Sequence, residues 1–180
     1  QNIDKVLKDY PHKHIQRVGG KGASNGMACY SKYPILSAKR VEYTSNNNGS
    51  IVYEIAVGTD TLTLINNHLE SNKLTALDKE VYEDMITAPE ADKVKKGVWH
   101  LVQKLGDAQQ IRARQARAVA DAVKNSRYPY VIVCGDFNDS PISYAHKTIS
   151  QDLDDAFRTS GNGLGISYNQ NKFYFRIDNI

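Results

Sequence analysis

Apolar and polar positions alternate with a period of two along residues 35–69, which is the pattern of half-buried β-strands. The clearest case is 51–57, where Ile, Tyr, Ile and Val share one side of the chain. The segments 46–49 (Asn-Asn-Asn-Gly) and 58–60 (Gly-Thr-Asp) flank it and contain residues that tolerate turn conformations. The stretch 35–69 therefore predicts an antiparallel meander.

Between residues 70 and 126 the pattern changes to the period of a helix. Acidic residues dominate this region up to residue 92, and basic residues dominate it from 93 onward. Residues 86–97 contain Pro89 and no strong period, so we expect them to join two helices. The buried stripe predicted for the second helix consists of Ala108, Ile111, Gln115, Ala118, Val119 and Ala122.

Shorter elements are predicted on both sides of this central region. They are a helix over 1–10 that Pro11 ends, a strand at 27–30, a strand at 131–134, a helix at 143–149, a loop at 160–167 and a last strand over 173–178. The run 131–134 is continuously apolar, which is typical of a strand covered on both faces. This order of elements predicts a single domain of mixed α/β class.

Composition narrows the class of protein. The chain has 180 residues, of which 41% are apolar, enough for the core of one domain. Its net charge of +3, from 23 basic and 20 acidic residues, is too mild to indicate a nucleic-acid partner. No apolar run approaches the roughly 18 residues that span a bilayer, so no membrane span is predicted. Two cysteines, Cys29 and Cys134, are too few for a disulfide framework or a thiolate zinc site.

Two further segments carry weaker signals. The glycine-rich stretch 17–24 lacks the spacing of a phosphate-binding loop, so a flexible connection is the better interpretation. The basic residues from 93 to 127 could follow a nucleic-acid backbone, although helical charge of this kind is more often a solvated face.

Chemically useful side chains concentrate where the predicted strands end. Asn66 and His68 end the last strand of the meander, Asp136 and Asn138 follow the run 131–134, and Asp178 ends the last strand. Carboxylates, amides and imidazoles are unfavourable to bury unless they are paired or bound to a cation. Rigid strand ends also hold binding groups in place at the mouth of a core. These residues are therefore the candidates for a functional site.

The spacing of Asp136 and Asn138 indicates a hard cation. On an extended segment, residues two apart share a side, so the carboxylate and the amide are expected to face the same way. An oxygen-only pair suits Mg²⁺ and suits zinc poorly. Structural interpretations stay open beside this one: an Asx-turn or helix cap at Asp136, a structural histidine at His68, and an ion pair of Asp178 with Arg176 or a neighbour.

Three segments resemble, in order, signature sequences of the endonuclease/exonuclease/phosphatase superfamily. They are 66–70 (Asn-Asn-His-Leu-Glu), 135–139 (Gly-Asp-Phe-Asn-Asp) and 176–178 (Arg-Ile-Asp). Residues 26–35 also resemble the family's early strand and turn. The superfamily includes the DNase I-like nucleases, the neutral sphingomyelinases and the inositol polyphosphate 5-phosphatases. The resemblance covers most of the chain apart from the charged helical region around 74–103.

This resemblance implies an α/β (α+β) fold of the DNase I-like type, a four-layer α/β/β/α sandwich, with hydrolysis of phosphoester bonds by Mg²⁺ or Mn²⁺ and activated water. It implies that Asp136 orients or deprotonates the water, that Asn138 holds the phosphate or the water, and that both contact the metal. It implies that His68 donates a hydrogen bond to a phosphate oxygen and that Asp178 orients a partner histidine. The supporting residues that it implies are Asn66 and Glu70.

The resemblance also implies segments that this sequence does not contain. The family's main Glu metal ligand is expected before residue 1, and its acid–base His after Ile180. We therefore expect an internal part of a longer enzyme, with one domain over 1–180 that is incomplete at both ends. This domain carries a charged helical insert at about 70–126 and is expected to turn over poorly on its own.

Three functions follow from these observations. The first is a divalent-metal-dependent phosphoesterase acting on nucleic acid, a phospholipid head group or a sugar phosphate. The second is a catalytically incomplete domain that serves as a binding or interaction module, and the third, which is weaker, is a nucleic-acid-binding domain without chemistry. No obligate protein partner is inferred, and two cysteines fit a cytoplasmic or a secreted protein equally well.

Overall fold

The computed structural model describes residues 3–18, 25–45, 47–72, 75, 78, 91–170 and 173–180. The described helices are α1 (Ile3–Val6), α2 (Ala91–Lys124), α3 (Tyr144–Ile149) and α4 (Ala156–Ser160). The described strands are β1 (His12–Arg17), β2 (Gly26–Ser31), β3 (Ile35–Arg40), β4 (Gly49–Val57), β5 (Asp60–His68), β6 (Tyr130–Asp136), β7 (Tyr168–Gln170), β8 (Phe173–Phe175) and β9 (Asp178–Asn179). Most of the glycine-rich loop at 17–24 and most of the acidic stretch before α2 lie outside the described residues.

Five strands form a central sheet in the order β3-β4-β5-β6-β9. The first three are antiparallel neighbours, which confirms the meander predicted for 35–69. β5 and β6 run parallel, with Leu62 opposite Tyr130 and His68 opposite Asp136. A parallel pair needs a crossover of a dozen residues or more, and α2 lies within that crossover. The pairs β1–β2 and β7–β8 form separate two-stranded sheets.

Apolar clusters pack on both faces of the central sheet. On one face, Ile65 of β5 and Val133 of β6 pack against Ala116 and Val119 of α2. The second cluster, which includes residues next to and within β1–β2, consists of Val18, Met27, Ile51, Tyr53 and Ile55. Successive side chains of a strand point to opposite faces, so these clusters occupy different sides of the sheet. The layers of helices, sheet and β-ribbon confirm the predicted α/β class.

The crossover helix α2 is continuous from Ala91 to Lys124. The prediction that 86–97 joins two helices is therefore wrong for residues 91–97, which belong to α2, while 86–90 lie outside the described residues. Proline breaks a helix from an interior position, and Pro89 is not among the described residues of α2. The sequence between Pro89 and residue 97 lacked an apolar period, but a long helix does not need one in every turn.

The buried side of α2 differs in part from the predicted stripe. Ala108, Gln115 and Val119 are buried as predicted, whereas Ile111 is 36% exposed. Arg112 takes its place on the buried side and is only 1% exposed. The periodicity of apolar residues could not predict this, because the helix turns a charged side chain toward buried polar partners.

The C-terminal run 173–178 does not form one strand, as its alternation predicted. β8 pairs with β7, whereas Asp178 of β9 pairs with Asp136 of β6 in the central sheet. The chain changes partner at Arg176, whose guanidinium is buried and hydrogen-bonded to Asp155. A buried ion pair therefore interrupts a pattern that otherwise has the period of a strand.

Two more predictions need correction at the edges of the fold. The helix predicted for 1–10 is formed only from Ile3 to Val6 among the described residues. The strand β6 is covered on one face only, since Val133 is 6% exposed whereas Ile132, on the other face, is 41% exposed. β9 pairs with β6 only at Gly135 and Asp136, so it leaves the beginning of β6 unpaired on that side among the described residues.

Gly135 fixes the backbone at the end of β6. Its φ angle is +128°, a backbone conformation that residues other than glycine rarely adopt. A Cβ atom placed there would lie 2.0 Å from the carbonyl oxygen of Asn67 on the neighbouring strand. The close approach of β5 to β6 at their carboxyl ends therefore requires glycine at this position.

We expect Gly135→Ala to lower the free energy of unfolding by about 3 kcal/mol or more, because the methyl group adds a backbone clash to an unfavourable φ angle. Gly58→Ala is the matched control: Gly58 also has positive φ (+62°), but its Cβ would meet nothing within 4 Å. We expect about 1 kcal/mol for the control. Urea unfolding followed by circular dichroism measures both, and equal losses would contradict the close approach at Gly135.

Candidate active site at the ends of three strands

Three ionisable side chains lie next to one another at the ends of neighbouring strands. His68 of β5 is in register with Asp136 of β6, and Asp136 is in register with Asp178 of β9. The Nε2 atom of His68 lies 4.0 Å from Oδ2 of Asp136. The two side chains are 45% and 31% exposed, so both are partly open to solvent. The structure therefore brings together three of the four catalytic residues that the sequence predicts.

The surroundings of Asp136 favour its protonated form. Burial raises the pKa of Asp136 above its ordinary value, and the neighbouring Asp178 carboxylate raises it further. The backbone N–H group of Asn138 lowers the pKa of Asp136, as does the electrostatic attraction of His68 and Arg112. These effects do not cancel the increase. A carboxylate placed in this way attracts a proton or a cation.

The turn after β6 orients the Asp136 carboxylate through Asn138. The backbone N–H of Asn138 donates to Oδ1 of Asp136 at 2.7 Å. Asn138 has φ +51°, so this segment is not extended as the sequence analysis expected. Asparagine tolerates this left-handed conformation better than most residues. The structural interpretation of an Asx-turn is thus correct for the local geometry, and it leaves Oδ2 of Asp136 on the side of His68.

The side chain of Asn138 ties the two strand ends together. Its Nδ2 atom donates to the carbonyl oxygen of Leu69 at 3.0 Å, and Nδ2 of Asn48 donates to the same oxygen at 2.9 Å. The N–H of Leu69 in turn donates to the carbonyl of Asp136 at 2.9 Å. The residues that follow His68 and Asp136 therefore form one hydrogen-bonded unit.

The two supporting residues predicted from the resemblance lie on either side of His68. Asn66 pairs with Cys134, two residues before His68 and Asp136 along β5 and β6, and it is half-buried. Side chains two apart in a strand share a face, so Asn66 lies on the face of His68. Glu70 follows β5 and is 8% exposed, and its backbone N–H donates to Oε1 of Gln115 at 2.8 Å.

Polar residues outside the three motif segments also hold the site. Ser167 accepts hydrogen bonds at its Oγ from the backbone N–H groups of Ile177 (3.1 Å) and Asp178 (3.0 Å). Asn48 and Arg112, both buried, contact the segment after His68. None of the three was predicted from the sequence. Arg112 lies four residues after Ala108 and three before Gln115, on the side of the predicted stripe, but its charge argues against burial.

The resemblance implies a divalent cation, so the side chains at the strand ends can be compared with the ligands that such a cation prefers. Among the described residues, no three His, Cys, Asp or Glu side chains converge on a ready-made metal position. Asp136 and Asp178 nevertheless place two carboxylates side by side, and a hard cation would relieve their mutual repulsion. Mg²⁺ commonly takes one or two carboxylates and completes its shell with water and substrate oxygens. The residues present therefore fit Mg²⁺ or Mn²⁺ better than zinc.

A second ionic cluster stabilises the C-terminal part of the fold. Asp155 bonds to Arg176 through both carboxylate oxygens, and its Oδ2 lies 3.2 Å from Nε2 of His146. Asp155 also caps α4 by accepting from the N–H groups of Phe157 and Arg158. The predicted alternative, in which Arg176 pairs with Asp178, is therefore wrong, because Arg176 is buried against Asp155.

We expect the buried His146 to make stability depend on pH. Burial lowers the pKa of His146 against the attraction of Asp155, so the unfolded chain binds this proton more readily than the folded one. The stabilisation by the neutral ring is complete above the unfolded pKa of about 6.5 and is lost as pH falls from there through the folded pKa.

His146→Gln keeps a hydrogen-bond donor for Asp155 and should flatten the fall in unfolding free energy between about pH 7 and pH 5. Urea unfolding at several pH values measures it. Lys147→Gln, at the exposed next position of α3, should keep the pH dependence of the unchanged protein. A His146→Gln curve that runs parallel to the unchanged protein would rule out this origin.

None of the described helices has the length and apolar character needed to cross a membrane.

The central sheet is mixed, with helices on one face and a β-ribbon on the other. Acidic, amide and imidazole groups lie at its strand ends. These features define a DNase I-like α/β domain. The model of the Endonuclease/Exonuclease/phosphatase family matches residues 1–180. The chain therefore belongs to that family, as its three motif segments indicated. No curated protein matches the sequence.

Solved structures share the fold of this domain. A humanized D. rerio TDP2 is 15% identical with a TM-score of 0.62, and the match covers 98% of this chain and 62% of that one. Sphingomyelinase C from Streptomyces griseocarneus is 19% identical with a TM-score of 0.51, over 84% and 51% of the two chains. A beta toxin mutant from Staphylococcus aureus with bound magnesium ions is 21% identical with a TM-score of 0.51, also over 84% and 51%. The chain thus spans about half to three fifths of the length of these structures.

Proposed function

We propose that this domain is a divalent-metal-dependent phosphoesterase that hydrolyses a phosphodiester or phosphomonoester with an activated water. The observation that carries the proposal is the register of His68, Asp136 and Asp178 across three adjacent strand ends. Within one small volume, the hydrogen-bond donor can contact a phosphate oxygen, and the two carboxylates can contact a metal ion and a water. Membership of the family supports the same chemistry.

Asp136 is the residue we assign to the attacking water. Its Oδ1 atom is held by the N–H of Asn138 at 2.7 Å, which leaves Oδ2 to accept a proton or orient the water. The roles of base and orienting group thus fall on one fixed side chain.

His68 and Asp178 flank that carboxylate and complete the proposed site. The half-exposed imidazole of His68 can donate to a phosphate oxygen, where negative charge increases in the transition state. Asp178 adds a second carboxylate beside Asp136. Its main-chain N–H is fixed by Ser167, which limits the motion of β9.

A divalent cation, held by Asp136 with Asn138 and balanced by Asp178, would neutralise charge on the phosphate oxygens. The Nδ2 atom of Asn138 is already bonded to the carbonyl of Leu69, so Oδ1 is the side-chain atom left for a cation or a water. Asn66 and Glu70 are proposed to support His68 from neighbouring positions.

Among the possible substrates, we propose a phosphodiester ahead of a phosphomonoester. The similar structures include a sphingomyelinase and a beta toxin with bound magnesium, which supports metal-dependent cleavage of phosphoesters. Bis-p-nitrophenyl phosphate tests the reaction without a choice of natural substrate, and plasmid DNA, sphingomyelin and sugar phosphates then distinguish the classes. A binding module without catalysis is the competing function, favoured by the lack of a ready-made three-residue metal position among the described residues.

We expect Asp136→Asn to reduce Mg²⁺-dependent hydrolysis of bis-p-nitrophenyl phosphate by roughly a hundredfold or more, because it removes the base and a metal contact. The assay compares initial rates at millimolar Mg²⁺ and after addition of EDTA, which should abolish activity. Asp121→Asn, at an exposed position of α2, is the control and should keep full activity. Activity that survives both EDTA and Asp136→Asn would refute the proposed function.

A further inference from the structure

We infer that Arg112 is a positioning residue for the proposed reaction. It lies on the face of the sheet opposite His68 and Asp136, and it holds the two loops that follow these residues in one arrangement. These loops are 69–72, which follows His68, and 137–140, which follows Asp136. The inference rests on the proposed function for its catalytic consequence. Its structural basis is independent of that function.

Arg112 contacts both loops with all three nitrogens of its guanidinium. Nε donates to Oδ2 of Asp139 at 3.1 Å. Nη1 donates to the carbonyl oxygen of Glu70 at 2.8 Å, and Nη2 donates to Oδ1 of Asn72 at 2.7 Å. The side chain is 1% exposed, so water does not compete for these bonds. One planar group therefore fixes the distance between the two loops.

Neighbouring residues of α2 extend this clamp along the helix. Gln109, three positions before Arg112, donates from Nε2 to the same oxygen of Asp139 at 2.8 Å. Gln115, three positions after it, accepts from the N–H of Glu70 at 2.8 Å. Residues three apart lie on one side of a helix, so the three side chains form a single row against the loops.

Hydrogen bonds connect this row to the catalytic carboxylate. Nδ2 of Asn72 donates to the carbonyl of Asn138 at 3.3 Å, and the N–H of Asn138 donates to Oδ1 of Asp136 at 2.7 Å. Asp139, the charged partner of Arg112, is the next residue in the chain. A shift of the guanidinium would therefore move the turn that orients Asp136.

The planar shape of the guanidinium, and not its charge alone, makes this arrangement specific for arginine. Burial lowers the pKa of Arg112, while the Asp139 carboxylate at 3.1 Å holds its positive charge. Lysine would keep the charge but presents a single ammonium instead of a planar fork, so it cannot bond to all three partners in this geometry. Arg112→Lys therefore separates loss of positioning from loss of a buried charge.

The test compares Arg112→Lys with Arg117→Lys, an exposed arginine on the same helix that bonds to Tyr144. With bis-p-nitrophenyl phosphate and Mg²⁺, we expect Arg112→Lys to lower kcat by about tenfold to a hundredfold with little change in KM, since misplacement of reacting groups by about 1 Å has effects of this size. Arg117→Lys should match the unchanged protein. The folded fraction of each variant is measured by circular dichroism and used to correct the rates.

A second arm uses Arg112→Ala and millimolar guanidinium chloride, which should restore at least part of the lost kcat by occupying the vacated position. Arg112→Lys with unchanged kcat, a loss explained entirely by the unfolded fraction, or a change confined to KM would each overturn the inference.

Amide hydrogen exchange separates this inference from the proposed function. The N–H groups of Asn138 and Glu70 should exchange faster in Arg112→Lys and not in Arg117→Lys. Unchanged exchange at both amides would overturn the inference even in an active protein. If the unchanged protein shows no hydrolysis while these amides respond, the proposed function fails and the positioning of the loops by Arg112 is supported.

Discussion

The parallel pairing of β5 with β6 is the constraint on which the rest of the site depends. Parallel neighbours end on the same side of the sheet, so the residues that follow them meet at one edge. Here that register sets His68 opposite Asp136, and β9 then adds Asp178 beside them. The pairing is possible only because Gly135 lets the two backbones approach, and because α2 covers the distance between the strands. A slip of one residue would send His68 to the opposite face.

Apolar and polar contacts both stabilise the edge of the sheet at which β5 and β6 end. Apolar side chains on the helix face, such as Ile65 and Val119, anchor α2 to the sheet without specifying the loops. The loops are specified by polar groups, with Leu69 as a double acceptor and Arg112 as a triple donor. Buried polar groups favour a unique arrangement because leaving any one unpaired is unfavourable. The fold therefore supplies rigidity near the proposed chemistry from the side opposite the proposed substrate.

The meander, the mixed α/β class and the polar strand ends could be predicted from the sequence, because each rests on local alternation or a short motif. An Asx-turn at Asp136 was among the interpretations that the sequence left open, but the φ of +51° at Asn138 could not be predicted, because it accompanies a bond to Leu69, which is distant in sequence. Arg112 was hidden for a similar reason, as its partners belong to two loops that only the folded chain brings together. The division of 173–178 between β8 and β9 likewise follows from the ion pair of Arg176 with Asp155. Long-range polar contacts, more than apolar patterns, limit what one sequence can predict.

The proposed function depends most directly on a divalent cation that binds beside Asp136 at the end of β6 and Asp178 at the start of β9. Paramagnetic broadening of amide NMR signals by substoichiometric Mn²⁺ tests it directly, without any choice of substrate. We expect the amides of Asp136, Asn138 and Asp178 to broaden first, and excess Mg²⁺ to reverse the effect. Broadening that begins elsewhere, or that Mg²⁺ does not reverse, would contradict it.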